Sequence, residues 1–296
     1  MHTIAFKAMG SPCEIQLAAP SQDAARGAAA AAMADIGRLE KRYSRYLPDS
    51  LLSQINRLAA AGGSMRVDAE TAALFDYADA CHRQSGGLFD VTSGILRHAW
   101  DLRGTELPAQ ARIEPLLARV GWHRVRWNKP WIAFETGMEI DFGGIVKEYA
   151  ADRAAAICHD AGVHCGVVNL GGDIRILGPR TDGGPWRIGI RDPRRPGATA
   201  GTIALERGAV TTSGDYERCI VIDGVRYGHI LDPRTGHPVR TLASCTTVAP
   251  LCVVAGSAAT IALLMQEDGP AWLAQSGLGH FWIAVDGRSG GNLRID

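Results

Sequence analysis

Between Gly166 and Gly228 the chain is cut into apolar runs of four or five residues, with Gly or Pro in nearly every gap. Runs that short have the length of strands rather than helices. The residues between them are those that tight reversals require. Such a stretch can build a meander of antiparallel strands and little else. Its expected members are Gly166–Leu170, Ile174–Leu177, Trp186–Ile190, Thr202–Leu205, Ala209–Thr212, Cys219–Ile222 and Val225–Gly228. Glycine is abundant throughout, 35 of 296 residues, or about 12% against a usual ~7%. The excess marks tight turns, or places where backbone closely approaches a ligand.

Around this core the periodicity changes. Residues 2–7 and 12–18 read as two strands about the turn Met9-Gly10-Ser11-Pro12. Ser21 to Arg42 is Ala-rich, with a Ser N-cap and Met33, Ile36 and Leu39 at helical spacing. Asp68 to Arg83 predicts a second helix, and Glu114 to Arg119 a short third one. Arg124–Trp127 and Trp131–Glu135 predict strands joined by Asn128-Lys129-Pro130. Met138–Phe142 predicts a strand leading into a helix over Gly144–Ala161. Cys245–Ala249 predicts a strand before a helix from about Ala255 to Met265. Helices mixed with clustered strands, without regular alternation, indicate an α+β class. With no repeat or low-complexity linker, residues 1–296 are expected to form one domain, or two intertwined subdomains within it.

Charge and cysteine content narrow the function. Lys+Arg and Asp+Glu number 31 each, and 46% of residues are hydrophobic. That balance excludes disorder and leaves no positive excess for nucleic acid. Ala249 to Met265, interrupted by Pro250 and Gly256, is too short to span a bilayer. The seven cysteines form no Cys-x-x-Cys pair, and most read as reduced, buried small hydrophobes. No secretory signal is visible, so a cytoplasmic location is expected, or a periplasmic one if the N-terminus was trimmed.

Five segments could carry chemistry. His229 to Pro238 is a rigid turn, or a loop presenting imidazole and amides to a phosphate or ring. Asp141-Phe142-Gly143-Gly144-Ile145-Val146-Lys147-Glu148 sets a carboxylate at a strand end and a Lys at a helix start, where free N–H groups suit phosphate. It does not match a dinucleotide or Walker loop. Asn169-Leu170-Gly171-Gly172-Asp173 is a hairpin turn, or a surface for a flat ligand. Thr211-Thr212-Ser213 is a polar loop, or a set of hydroxyls for phosphate oxygens. Gly87 to Thr92 flanks an apolar pair with polar backbone. No nucleophile elbow or zinc-binding helix is present.

Taken in order, these segments resemble the ApbE-like family of FAD:protein FMN transferases. The resemblance also uses Tyr43-Ser44-Arg45-Tyr46-Leu47-Pro48-Asp49-Ser50 with Ile55-Asn56, and it runs from Met9 to about Met265. It implies a T-fold-like α+β architecture, mostly antiparallel sheets with flanking helices. FAD would bind in a cleft, and its FMN half would pass, with Mg2+ assistance, to a Thr or Ser hydroxyl of a target flavoprotein, releasing AMP. It implies that Met9, Tyr46, Leu88, Phe89 and Asp90 line the flavin or adenine pockets. Asp141, Lys147, His229 and Ile230 would contact FAD, with His229 and Asp141 catalytic. Gly144, through its carbonyl, and Thr260 would hold the metal. The chain would act as a monomer or homodimer. Two positions depart from the family. Gly256 stands where relatives carry a metal-binding Asp, and Glu148 where they commonly carry Gly. Glu148 is then a replacement carboxylate or a space filler. A non-catalytic FAD carrier and an FAD pyrophosphatase giving FMN and AMP are the alternative readings.

Overall fold

Every strand pairing in the molecule is antiparallel. The computed structural model describes residues 1–296. In chain order the elements are β1 (His2–Ala8), β2 (Ser11–Leu17), α1 (Gln22–Tyr43), α2 (Leu51–Ala61), β3 (Ser64–Arg66), α3 (Ala69–Gln84) and α4 (Gln110–Leu117). Next come β4 (Arg126–Asn128), β5 (Trp131–Ala133), α5 (Val146–Asp160), β6 (Gly166–Leu170), β7 (Asp173–Gly178), β8 (Trp186–Arg191), β9 (Thr199–Leu205) and β10 (Gly208–Gly214). The chain ends with β11 (Cys219–Ile222), β12 (Val225–Gly228), β13 (Leu242–Ala249), α6 (Cys252–Leu264), α7 (Gly269–Ser276), β14 (Gly279–Ala284) and β15 (Ser289–Gly291). The main sheet has eight strands in the order β1-β2-β6-β7-β10-β13-β14-β15. This is the expected mixture of helices and antiparallel sheet.

Local chemistry sets the boundaries. Ser21 accepts the Ala24 amide at 3.1 Å, and Asp68 accepts that of Thr71 at 3.0 Å, so both helices begin at side-chain caps. The β6–β7 turn is Gly171-Gly172, both at positive φ (63° and 99°), which a two-residue hairpin requires. Helix α1 buries Ala25, Ala28, Ala29 and Ala32, and α5 buries Ala150, Ala151, Ala154 and Ala155. These small faces let the two helices pack closely. Helix α6 is apolar on all sides and lies against β10, β13 and α5, as an enclosed helix must. On the sheet's other face the β8–β9 hairpin covers Val210, packing Ile190 and Ile203 onto it.

Some elements differ from expectation. Met138–Phe142 joins no sheet. It is an extended segment, tied by Asn56 at Ile140 and by the Asp141 amide donating to the Val91 carbonyl at 2.8 Å. The third helix begins at Gln110, and Pro115 lies inside it rather than at its start. Helix α2, β3, α7 and the strands β14 and β15 were not anticipated. All seven cysteines are free; Cys165 and Cys219 are half-buried and the other five buried. Burial pushes the Cys245 thiol up to about 12. No helix is long and apolar enough to cross a membrane.

Candidate active site

The first turn of α5 is the hub of the site. No side chain caps its N-terminus at Ile145, so amide groups remain directed outward, an arrangement suited to an anion. The Gly144 carbonyl accepts no hydrogen bond from the helix that follows, so an acceptor also stays free. A Cβ on Gly144 would come within 3.3 Å of the Phe89 ring, which places the Phe89 segment beside this turn. Just upstream, Asp141 receives the Gly143 amide at 2.9 Å and forms an ion pair with Arg45. Arg45 in turn lies over the Tyr46 ring at 5.2 Å. Asn56 holds both backbone groups of Ile140, donating to its carbonyl at 3.0 Å and accepting from its amide at 2.7 Å. The Ile55-Asn56 motif therefore acts by fixing the segment that carries Asp141.

Lys147 projects from α5 into the β6–β7 turn. It pairs with Asp173 and donates to the Leu170 carbonyl at 3.4 Å. The same turn touches the β1–β2 turn, where the Gly171 amide donates to the Pro12 carbonyl at 3.1 Å. Met9, at positive φ (51°), donates its amide to Glu40 at 2.7 Å. The hairpin reading of Asn169 to Asp173 therefore holds, and the turn also links Lys147 to the Met9 turn.

Glu148, next along α5, is buried, and its carboxyl lies against Gly256 of α6. Burial, then the neighbouring Asp173 carboxylate, push the Glu148 carboxyl up to about 8 against the pull of Lys147. Its Oε2 atom has no hydrogen-bond partner. Four residues beyond Gly256, on the same side of α6, Thr260 shares a 3.0 Å hydrogen bond with Ser213. A magnesium ion needs hard oxygen donors that include a carboxylate. An orphaned carboxylate oxygen lies here, a free carbonyl stands one turn before it on α5 and a hydroxyl one turn beyond Gly256 on α6, a donor set whose chemistry suits such an ion.

His229 follows directly on β12, as its position in the sequence implied. The protein around it, then the cations Arg218, Lys147 and Arg45, lower its pKa to about 4. Its imidazole is therefore neutral at ordinary pH, although the residue is exposed. The loop after it is rigid. Arg234 is bound through its amide and guanidinium to Asp232, and Trp100 donates to the Gly236 carbonyl at 2.8 Å. Ile230 packs on the main core while its carbonyl accepts the Val239 amide at 3.0 Å.

Other anticipated residues are engaged elsewhere. Asp90 directs its carboxylate inward, to Thr92 and to the Trp122 amide. Leu88 and Phe89 are buried in the main core, and Tyr46 is 78% exposed. Thr211 and Thr212 pair across the sheet with Thr247 and Thr246, so of the three hydroxyls only Ser213 reaches Thr260. Sequence reasoning missed Asp173 as the partner of Lys147, and no local signal marked it. Asn56 was noticed only as part of a motif. The Ser50 cap and the 52/55/59 spacing would have placed it on a helix.

The molecule is thus an α+β protein with a cluster of charged groups at a helix start, of a chemistry suited to a phosphate-bearing ligand. A model of the ApbE family matches residues 9–282. The chain is 31% identical over 281 residues to the FAD:protein FMN transferase of Rhodobacter capsulatus, covering 92% of this chain and 53% of that protein. It is 32% identical over 236 residues to the FAD:protein FMN transferase of Chlamydia pneumoniae, with coverages of 76% and 72%. It therefore spans about half the length of the first relative. Its fold matches the solved ApbE protein of Thermotoga maritima with a TM-score of 0.90 and 32% identity, over 98% of this chain and 96% of that one. The flavin transferase ApbE from Vibrio cholerae matches with a TM-score of 0.86 and 25% identity, over 99% and 97%. The chain belongs to the ApbE family.

Proposed function

We propose that this protein transfers the FMN moiety of FAD to a Thr or Ser hydroxyl of a target flavoprotein and releases AMP. The observation that carries the reading is the convergence at the α5 start of an uncapped helix end, the Lys147–Asp173 pair and a cation-ready carboxylate. The names of the relatives support it. The domain that does this work is the whole of residues 1–296, since the main core draws on residues from Ala8 to Ala284.

The reaction exchanges a phosphoanhydride bond for a phosphoester. The acceptor oxygen bonds to the phosphorus of the FMN half, and the bond from that phosphorus to the bridging pyrophosphate oxygen breaks. AMP leaves with the bridging oxygen. The hydroxyl proton passes to His229, which is neutral and able to accept it. Asp141, fixed by Arg45, Asn56 and the Gly143 amide, positions the dinucleotide, and Lys147 adds positive charge beside the phosphates. Met9, Tyr46 and Ile230 line the ring pockets, and Phe89, beside Gly144, supports that wall from the core. A magnesium ion bound through Gly144 and Thr260 would neutralise pyrophosphate charge as it develops.

Incubation of the full chain with FAD, Mg2+ and a Thr-bearing target protein should yield AMP and a fluorescent band that survives denaturation. His229→Ala should slow the adduct by about 10²–10⁴-fold. Free FMN with AMP and no adduct would instead identify a pyrophosphatase. Tight FAD binding with no product would identify a carrier.

A further inference from the structure

The junction of α5 and α6 gathers two acids against one paired cation. Glu148 and Asp173 are both buried, 7% and 4% exposed, and Lys147 is the cation paired there. Lys147 is committed to Asp173 and to the Leu170 carbonyl. Glu148 keeps one carboxylate oxygen with no partner at all. A buried carboxyl in that state is held toward its neutral form, and a cation placed beside it favours the ionised one.

Gly256 provides a second, independent observation. It sits inside α6, where glycine is less favourable than alanine by about 0.8–1.0 kcal/mol. No positive φ explains it. The space does: a Cβ at this position would lie 2.6 Å from Glu148 Cγ and 3.2 Å from its Cδ and Oε1. Even a methyl group would displace the carboxyl, so the glycine and the buried acid are two halves of one arrangement.

The remaining donors are close along the chain. The free Gly144 carbonyl is one turn before Glu148, and Thr260 is one turn beyond Gly256. No cluster of three or more His, Cys, Asp or Glu side chains offers a metal site anywhere in the molecule. One carboxylate completed by a carbonyl, a hydroxyl and waters matches the way magnesium is usually held.

We infer that Glu148 is the carboxylate ligand of a divalent cation, received from α5 because Gly256 leaves α6 without a side chain there. The inference deepens the transferase reading, on which it rests for the purpose of the ion but not for its binding.

Manganese titration followed by electron paramagnetic resonance, on the full chain without FAD, tests the assignment. Wild type should bind one Mn2+ per chain. Glu148→Gln, nearly isosteric, should weaken binding at least tenfold. Gly256→Ala, which adds no charge, should weaken it by displacing the carboxyl. The exchange Glu148→Gly with Gly256→Asp should restore affinity to within a few-fold, and it decides the matter should Glu148→Gln fail to fold by circular dichroism. Equal Mn2+ affinity in wild type and Glu148→Gln would overturn the assignment, as would no binding by wild type. A parallel flavinylation assay separates the two readings. Binding that depends on Glu148 without any adduct retires the transferase and leaves the cation site. Adduct formation undiminished in Glu148→Gln does the reverse.

Discussion

Asp90 and Glu148 are acids of nearly equal burial, 8% and 7% exposed, in contrasting surroundings. Asp90, in the turn after α3, is saturated. It accepts the Thr92 amide and hydroxyl at 2.8 and 2.6 Å and the Trp122 amide at 2.8 Å. Thr92 then accepts the Gly121 amide at 2.7 Å, so the acid knits two distant loops together. Glu148, in the first turn of α5, has an oxygen facing no donor. Burial therefore does not separate a structural acid from a ligand-seeking one, whereas unfilled hydrogen-bonding capacity does.

The contrast is sharpest in stability. Asp90→Ala would leave buried amides of Thr92 and Trp122 without an acceptor, and about 3–5 kcal/mol of folding free energy should be lost. Urea unfolding would measure it; a loss below about 1 kcal/mol would break the comparison. Asn56→Ala should cost about 2 kcal/mol, roughly 1 for each bond to Ile140. It should also weaken FAD binding in calorimetry, because Asp141 is then loosely held. Glu148→Gln should change folding stability by less than about 1 kcal/mol without metal, since its amide can donate to Asp173 as the protonated carboxyl does. A loss as large as that of Asp90→Ala would show that both acids are structural.

His229 supplies the smallest effect and an internal control. Its folded pKa, about 4, lies below the ordinary value of 6.5. The unfolded chain takes up this proton first as pH falls, so stability contributed by the neutral ring is present above about 6.5 and lost toward 4. The exposure of His229 keeps the change small. Wild type should lose slightly more stability than His229→Gln between pH 7 and 5. In the wild type the acid limb of transfer should lie nearer pH 4 than 6.5.

Much of this was legible in the chain itself. Short runs between glycines specified strands, and Ser21 and Asp68 specified helix starts, because each depends on neighbours a few residues away. The motif order marked Asp141, Gly144, Lys147 and His229 as expected members of one cleft; that Lys147 and Arg45 help lower the His229 pKa depends on the fold. Phe89 and Asp90 shared a motif, yet the structure sends one toward Gly144 and the other inward, and no local pattern carries that distinction. Met138–Phe142 looked like a strand because its composition is that of one, but strand identity needs a partner and Asn56 took that place.

The sequence by itself determined the strand lengths, the turns, the caps and the presence of an acid at 148 and a glycine at 256. Only the tertiary structure decided that these last two meet. Local rules act over one turn of helix or one hairpin, whereas the contact between α5 and α6 arises when both helices pack on the same sheet. Two unrelated departures in the chain become, once folded, a single carboxylate in the space a glycine left open.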